Sequence, residues 1–443
     1  MAADTKLRTL YVLAATQTLS ALGSRISGLA IGIWVFQQSG QATPLALVAF
    51  FAALPMILGG GFAGALVDRF DRRLVMVLAD AGAALATGLL LISFLSDGFE
   101  LWHLYAITVF QAVCGTLHAP ATQASIAMLA GDSQRDRANA IMQLAGPTAG
   151  VVAPALAGLL YAIIGITGAI VIDLATFVVA AAVVLRLRIP RPAATAAGLA
   201  LAGSIWRQAF DGFRYLRARP VLLALCLYFT AVNFLLGGAL VLITPYVLTR
   251  SGSEAALGLV FAALNAGSIA GGVLAAAIGR AAPRIHRMFG AVMAGCAFLA
   301  LAGMAREAWG VGLCILLYAA MLPFMNVPFM SIMQAKIAPD VQGRVFAAFF
   351  QMAGLMMPLS YLLAGPLADR VFEPAVARPD WRSVAPLVGS EPGAGIGLML
   401  LLGGSLSLLI SLMVYANSAI RHIETDLPDY VPEAAPAADA SPS

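Results

Sequence analysis

Arg25, Asp80 and Asp173 stand inside apolar stretches long enough to cross a lipid bilayer, and a charge in such a place needs a chemical reason. Even on the most lenient insertion scale it costs ~2.5–3.5 kcal/mol at bilayer depth, so it faces a water-filled cavity or a partner. Arg25 lies ~22 Å along the first stretch at ~1.5 Å per helical residue. It shares a small polar face with Gln17, Thr18, Ser20, Ala21, Ser24 and Gly28. That setting suits contact with a ligand or proton coupling through an acid, and equally a static ion pair. Asp80 sits only ~10 Å from the nearer membrane surface. A gate or structural pair with Arg69, Arg72, Arg135 or Arg137 is the leading expectation for it, with proton carriage as the alternative. Asp173, at a depth comparable to Arg25, is expected to bond Thr176 or pair with Arg25, and otherwise to exchange protons.

His118, near the end of the fourth stretch, belongs to the residue type that changes charge near neutral pH. A hydrogen-bonded structural role is expected for it, with proton traffic as the other use. Gln17, Gln111, Asn233, Asn265, Asn326, Gln143 and Gln351 supply amides that either bind a ligand or tie helices together at ~0.6–2 kcal/mol each. Met321, Phe324, Met325, Phe329, Met330, Met352, Met356 and Met357 can form a plastic apolar pocket, though packing accounts for most such residues. The four cysteines, Cys114, Cys226, Cys296 and Cys314, show no metal-ligand spacing, so no metal and no disulfide is expected, and no cofactor either.

These residues must be positioned by a membrane bundle. Of the 443 residues 61% are hydrophobic and 11% charged, with a mean hydropathy of +0.90, which no soluble surface can accommodate. A crossing needs ~20 apolar residues. Twelve are placed near 10–36, 45–66, 74–95, 101–119, 139–163, 169–187, 221–243, 257–279, 288–304, 310–335, 345–366 and 396–417. The first is too long for a cleaved leader and is kept as a span. The expected fold class is an all-α membrane protein of twelve transmembrane helices in two pseudo-symmetric six-helix bundles. Lys and Arg are retained on the cytoplasmic side; with an inside N-terminus, 20 of the 26 fall inside, five outside, and Arg25 within a span. Both termini are then cytoplasmic. The basic balance reads as topology and contact with anionic lipid rather than nucleic-acid binding.

The chain repeats itself at a constant offset of 208 residues. Gly59, Gly64, Leu66 and Arg72 fall on Gly267, Gly272, Leu274 and Arg280; Pro120, Asp132, Gln134, Gln143 and Gly146 fall on Pro328, Asp340, Gln342, Gln351 and Gly354. The same register sets Arg25 opposite Asn233. Beyond Gly354 it fails, because the second half carries a long outside loop around Trp381. Parallel repeats with a substrate site at their interface are a transporter plan. The expected domains are residues 1–187, a cytoplasmic linker at 188–220, residues 221–417, and a tail at 418–443 that is partly disordered. Within the linker Trp206, Phe210 and Phe213 share one helical face and Arg207, Asp211 and Arg214 another, as in a helix lying on the membrane surface.

Between the second and third spans runs GGGFAGALVDRFDRRLVMVLAD. Its glycines allow close helix approach, and Asp68 with Arg69, Arg72 and Arg73 can form a breakable ionic latch. This string resembles the signature of the major facilitator superfamily, with Asp71 where glycine is usual. ALGSRISGLAIGIWVFQQSG, APATQA, VIDLATF, RVFAAFFQ, PLADRVFEPA and IETDLPD extend the resemblance over nearly the whole chain, to the drug-antiporter branch that includes macrolide efflux proteins and an enterobactin exporter. The resemblance implies export of an amphiphilic small molecule by alternating access, driven by protons, in a bacterial cytoplasmic membrane, with lipid around a monomer.

The antiporter signature expected in the fifth span is partly matched by Gly146, Pro147 and Gly150, and again by Ala153, Pro154 and Gly158; a proline frees a backbone bond and lets a helix bend, so either copy can act as a hinge. The arginine that many proton-coupled relatives carry in the fourth span is absent, its segment reading Gln111 to Gly115. Substrate or coupling roles are therefore expected of Arg25, Asp173, Gln17, Gln111, His118, Asn233 and Asn326. A cytoplasmic gate is expected of Asp68, Arg69, Arg72, Arg73, Asp80, Arg137 and Arg344. No phosphate-cradling GxxxxGK[ST] loop supports an ATP-driven pump, and no catalytic cluster supports an enzyme. Two rivals share the scaffold: a lipid or lysolipid flippase, and a non-transporting membrane receptor or assembly partner.

Overall fold

In hydrocarbon a backbone finds no water to bond, so an apolar stretch must close its hydrogen bonds within itself, as a helix does. The computed structural model describes residues 2–96, 98–129, 135–187, 212–278, 283–427 and 429; the side chains of 2–8, 61, 62, 64, 65, 68, 69, 127–129, 135–149, 339 and 340 lie outside the description. The described chain is helical throughout, without strands. Its long elements are α1 (Ala2–Ser39), α2 (Ala42–Arg69), α3 (Arg72–Leu95), α4 (Leu101–Leu129), α5 (Arg135–Arg186), α6 (Pro220–Val241), α7 (Ile243–Ser251), α8 (Glu254–Ile278), α9 (Arg284–Met304), α10 (Ala308–Lys336), α11 (Pro339–Leu367) and α12 (Ala394–Ala416).

Among the described residues eleven segments are long and apolar enough to cross a membrane. One of them, in α5, crosses twice. Gly165 takes φ 64° and ψ −170°, a conformation open to glycine alone at little cost, and there the helix turns back. Tyr161 before the turn bonds Gln37 at the far end of α1, whereas Leu185 after it lies against Arg73 at the start of α3. Counting both arms gives the twelve crossings expected from the sequence.

The two faces of α3 show what solvent the bundle meets. Met76, Ala79, Asp80, Ala83, Ala86, Thr87 and Leu90 form its buried stripe. Leu74, Leu78, Leu85, Leu89 and Ile92 face outward and exposed. An outward face of leucines is stable only against lipid tails. Small residues bring the helices together: a Cβ on Gly404 of α12 would stand 2.6 Å from the Cys296 carbonyl oxygen of α9. Backbone cannot yield as a side-chain tip can. We expect Gly404→Val to cost ~1–3 kcal/mol through overpacking and to lower the thermal midpoint of the purified protein in a scan by size-exclusion fluorescence.

Three helix N-termini whose own N-cap residues make no side-chain cap bond are capped by acids from elsewhere in the chain. Glu373 accepts from Gly393 N and Ile396 N of α12. Glu424 accepts from Ile285 N of α9, and buried Lys336 holds the chain after it through the Glu424 and Leu427 carbonyls and Asp429. The third acid is Asp369, described below. Between α11 and α12 the long loop folds over buried Trp381, whose indole N–H bonds the Gly389 carbonyl. Of the expected surface helix, Trp206, Arg207, Phe210 and Asp211 fall outside the described residues. Residues 212–217 are helical, with Leu216 fully buried and Gly212 seated on the Arg344 carbonyl of α11, so this part packs on protein.

Candidate functional site

On the N-terminal bundle, α1, α3, α4 and the second arm of α5, with Ala52 of α2, line a half-open cavity of about 570 Å³. Its polar lining comes chiefly from Gln17, Asp80, Gln111, His118, Gln123 and Asp173. A cavity of this size holds on the order of ten to twenty waters at ~30 Å³ each. The α3–α4 seam that forms one wall is a ladder of side-chain pairs. Ser125 donates to Met76 Sδ at 3.6 Å, His118 Nε2 stands 3.2 Å from Asp80 Oδ1, and Gln111 Nε2 donates to Thr87 Oγ1 at 2.8 Å. These rungs follow the helical spacing that makes Asp80 part of the buried stripe of α3.

The Asp80–His118 contact is close yet poorly aligned. His118 Nε2 makes no hydrogen bond of good geometry, Asp80 Oδ2 has no partner, and Asp80 is only 3% exposed. Thr122 Oγ1, 3.3 Å from Nδ1, holds the other ring nitrogen. Gln17 Nε2 is buried without a partner as well. The cavity lining therefore holds three buried polar atoms without a hydrogen bond, Asp80 Oδ2, His118 Nε2 and Gln17 Nε2, a combination that native interiors rarely tolerate. The leading expectation set Asp80 against an arginine; the structure sets it against His118, because the inward stripe of α3 aims it at α4 rather than at the helix ends.

Asp173 and Arg25 do not meet. Ser24 Oγ donates to Asp173 Oδ1 at 2.9 Å, while Thr176 bonds the Asp173 backbone carbonyl and not the carboxylate. Adjacent positions on α1 point ~100° apart, so Ser24 faces the cavity while Arg25 turns to the seam between the bundles. There its guanidinium lies beside Gly150 of α5 and Asn265 of α8, with no acid paired to it among the described residues. Asn233, Asn265 and Asn326 each donate to the carbonyl four residues earlier on their own helix, which leaves their oxygens available.

The bundles meet along α5–α8 and α2–α11. Gly158 and Gly258 bring the first pair into backbone contact: a Cβ on Gly158 would sit 2.5 Å from the Glu254 carbonyl oxygen, and one on Gly258 2.5 Å from that of Pro154. These expected hinge positions thus stand in a contact seam; the side chains of Gln143, Gly146 and Pro147 lie outside the described residues. At α2–α11 the chain following α11 takes one π-helical turn, Ala368–Phe372, which carries Asp369 over the start of α2. Its carboxylate accepts from Ala42 N at 2.8 Å, Thr43 N at 2.7 Å and Thr43 Oγ1 at 2.5 Å. Gln37 Nε2 also donates to Glu254 Oε1 at 2.6 Å. All described polar contacts between the bundles lie at this one end, the end of the α1–α2 turn.

At the opposite end the gate candidates are placed differently. Asp68, Arg69 and Arg137 have side chains outside the described residues. Arg73 donates to the Val184 and Leu185 carbonyls of α5, Arg72 reaches the Ala124 carbonyl at 3.5 Å, and Arg344 is exposed. Asp369 was not singled out from the sequence, although a signal existed: Leu-Ala-Asp-Arg at 367–370 repeats the Leu-Val-Asp-Arg pattern of 66–69.

Comparison with known proteins places this geometry in context. The family model described as Major Facilitator Superfamily matches residues 13–361. The chain is 26% identical over 369 residues to macrolide efflux protein A of Streptococcus pyogenes, covering 82% of this chain and 89% of that one. It is 25% identical over 369 residues to the multidrug efflux pump Tap of Mycolicibacterium fortuitum, covering 81% and 89%. Among solved structures, a bacterial homolog of the human lysosomal transporter Spinster superposes with a TM-score of 0.68 at 16% identity over 93% of this chain and 96% of that one. The nucleoside transporter NupG superposes with a TM-score of 0.68 at 11% identity over 92% and 98%.

Proposed function

This chain belongs to the major facilitator superfamily, and on that premise we propose that it exports an amphiphilic small molecule from a bacterial cell by alternating access, in exchange for protons. The observation that carries the reading is the polar fastening of the two bundles at the α1–α2 end, where Asp369 accepts from Ala42 and Thr43 and Gln37 donates to Glu254. A carrier that alternates needs contacts at one end that break when the other end closes. The distribution of Lys and Arg supports a fastened end that faces outside and termini that face the cytoplasm, as in a state that loads cargo from inside. Efflux relatives at 25–26% identity support the direction of transport.

The substrate path runs along the seam between the bundles, past Arg25, Asn265 and the free oxygens of Asn233 and Asn326. A guanidinium without an acid partner among the described residues favours cargo rich in acceptor oxygens. The path lies within one chain, which supports a monomer embedded in lipid as the working unit. The test is reconstitution in liposomes carrying an internal pH dye, with erythromycin, tetraphenylphosphonium and a catecholate siderophore as probes. Proton movement that depends on a probe is the expected result. Transport of a probe without proton movement overturns the antiport reading. Movement of fluorescent lysolipid with no probe transported overturns the export reading in favour of a flippase.

A further inference from the structure

A carboxyl group that is 97% buried, with one oxygen 3.2 Å from His118 Nε2 but out of line with it and the other oxygen without a hydrogen-bond partner, is a costly arrangement for a merely structural residue. Bringing Asp80 and His118 together with a single shared proton makes the pair electrically neutral, whether the proton rests on Oδ or on Nε2. Releasing it leaves one net negative charge against a low-dielectric wall. Such a pair has two states that differ by one proton, and each calls for different surroundings.

The groups facing the pair are few. Besides the pair, the titratable groups of the cavity lining are Cys114 of α4 and Asp173 of α5 across the cavity, while α1 contributes the neutral Gln17, Ser20, Ser24 and Ser27 and α2 contributes Ala52. Among the described residues no Lys or Arg lines the cavity. Asp80, His118 and Gln17 all line this cavity, which is large enough to hold water. Exposed Gln123 stands at the edge nearer the α2–α3 end.

We propose that the Asp80–His118 pair is the proton-loading site of the transport cycle, reached through water in the N-terminal-bundle cavity and separate from the substrate path along the seam. The inference rests on the antiport reading above. Loading forms one O–H or N–H bond on the pair from a proton delivered by cavity water. Unloading breaks that bond, returns the proton to water as hydronium on the cytoplasmic side, and leaves the Asp80 carboxylate beside a neutral imidazole. No other bond is made or broken. Because Asp80 and His118 sit on different helices of the α3–α4 ladder, the change in charge acts on the seam between them and so on the bundle that carries α2.

The experiment uses the full-length protein in liposomes with labelled erythromycin, measured two ways: accumulation driven by an imposed pH gradient, and probe-for-probe exchange at equal pH. Asp80→Asn is expected to lose gradient-driven accumulation at least ten-fold while exchange stays within about three-fold. His118→Gln is expected to keep coupled transport with its pH profile displaced from that of wild type, since the proton can then no longer be shared with the imidazole. Coupled transport by Asp80→Asn equal to wild type overturns the proposal, as does loss of coupling in Asp173→Asn while Asp80→Asn stays coupled. Should Asp80→Asn fail to fold, His118→Gln decides alone: a profile superimposable on wild type overturns the assignment. Wild-type exchange of erythromycin without any response to a pH gradient would instead sink the antiport reading, a failure distinct from these.

Discussion

Asp369→Ala releases the first turn of α2 from the C-terminal bundle and shifts the protein away from the state described here. The carboxylate meets the N–H groups of Ala42 and Thr43 and the Thr43 hydroxyl, while Gln41, the residue in position to cap α2, makes no side-chain bond to it. The acid therefore performs across the two bundles what an N-cap does within one helix. An N-cap acid removed to alanine costs ~0.5–2 kcal/mol, and a negative charge at the positive end of a helix adds ~0.3–2 kcal/mol. Taken together at ~0.8–4 kcal/mol, the loss changes the ratio of the two end-states on the order of 4- to 700-fold.

Spin labels at Gln38 and Ala377, both exposed, read that change as a distance distribution on a background freed of the four cysteines. Wild type should give one short population, and Asp369→Ala a second, longer one that dominates. Asp369→Asn, which retains an acceptor oxygen and loses the charge, should fall between them. An unchanged distribution in the alanine variant would mean that the α2 cap does not hold the bundles together.

Gly158→Leu has a comparably large expected effect by the opposite route, because it forces the seam apart instead of untying it. The Cβ would stand 2.5 Å from the Glu254 carbonyl oxygen and 3.1 Å from Ala255 Cα, and neither atom belongs to a side chain that can swing away. Forced overpacking of this kind costs ~1–3 kcal/mol and occasionally more, all of it charged to the state in which α5 and α8 touch. We expect transport to fall on the order of 100-fold, near the upper end of that range, with the protein still folded and resident in the membrane. Gly88→Leu is the control, since a Cβ there meets nothing within 4 Å; its transport should stay within about two-fold of wild type. Equal loss in both variants would show that leucine itself, rather than the seam, is responsible.

The architecture was legible because lipid imposes a length. Each crossing has to be apolar over about 20 residues, so twelve crossings emerge from composition alone, including the two that α5 joins through Gly165. The repeat at 208 residues made the paired bundles legible for a related reason: duplicated helices keep the glycines and prolines that set their close approaches. Local signals likewise marked Arg25, Asp80, Asp173 and His118, because a polar group in an apolar run stands out by its cost.

Partnership was another matter. Sequence placed Asp80 near arginines and Asp173 near Arg25 by depth along their helices. Which neighbour a side chain meets depends on its angle about the helix axis and on which helix packs there. On α3 that angle turns Asp80 to His118, and on α1 the ~100° between adjacent positions gives Ser24 to Asp173 and sends Arg25 to the seam. Asp369 shows the limit most plainly, since a carboxylate capping a helix 327 residues away leaves no trace in local composition. What the sequence by itself determined is the set of membrane crossings and the few polar groups lodged among them, since both follow from the cost of each residue in hydrocarbon. The tertiary structure alone decided which of those groups touch and at which end the bundles are fastened, because both are properties of packed surfaces that exist only once the helices are assembled.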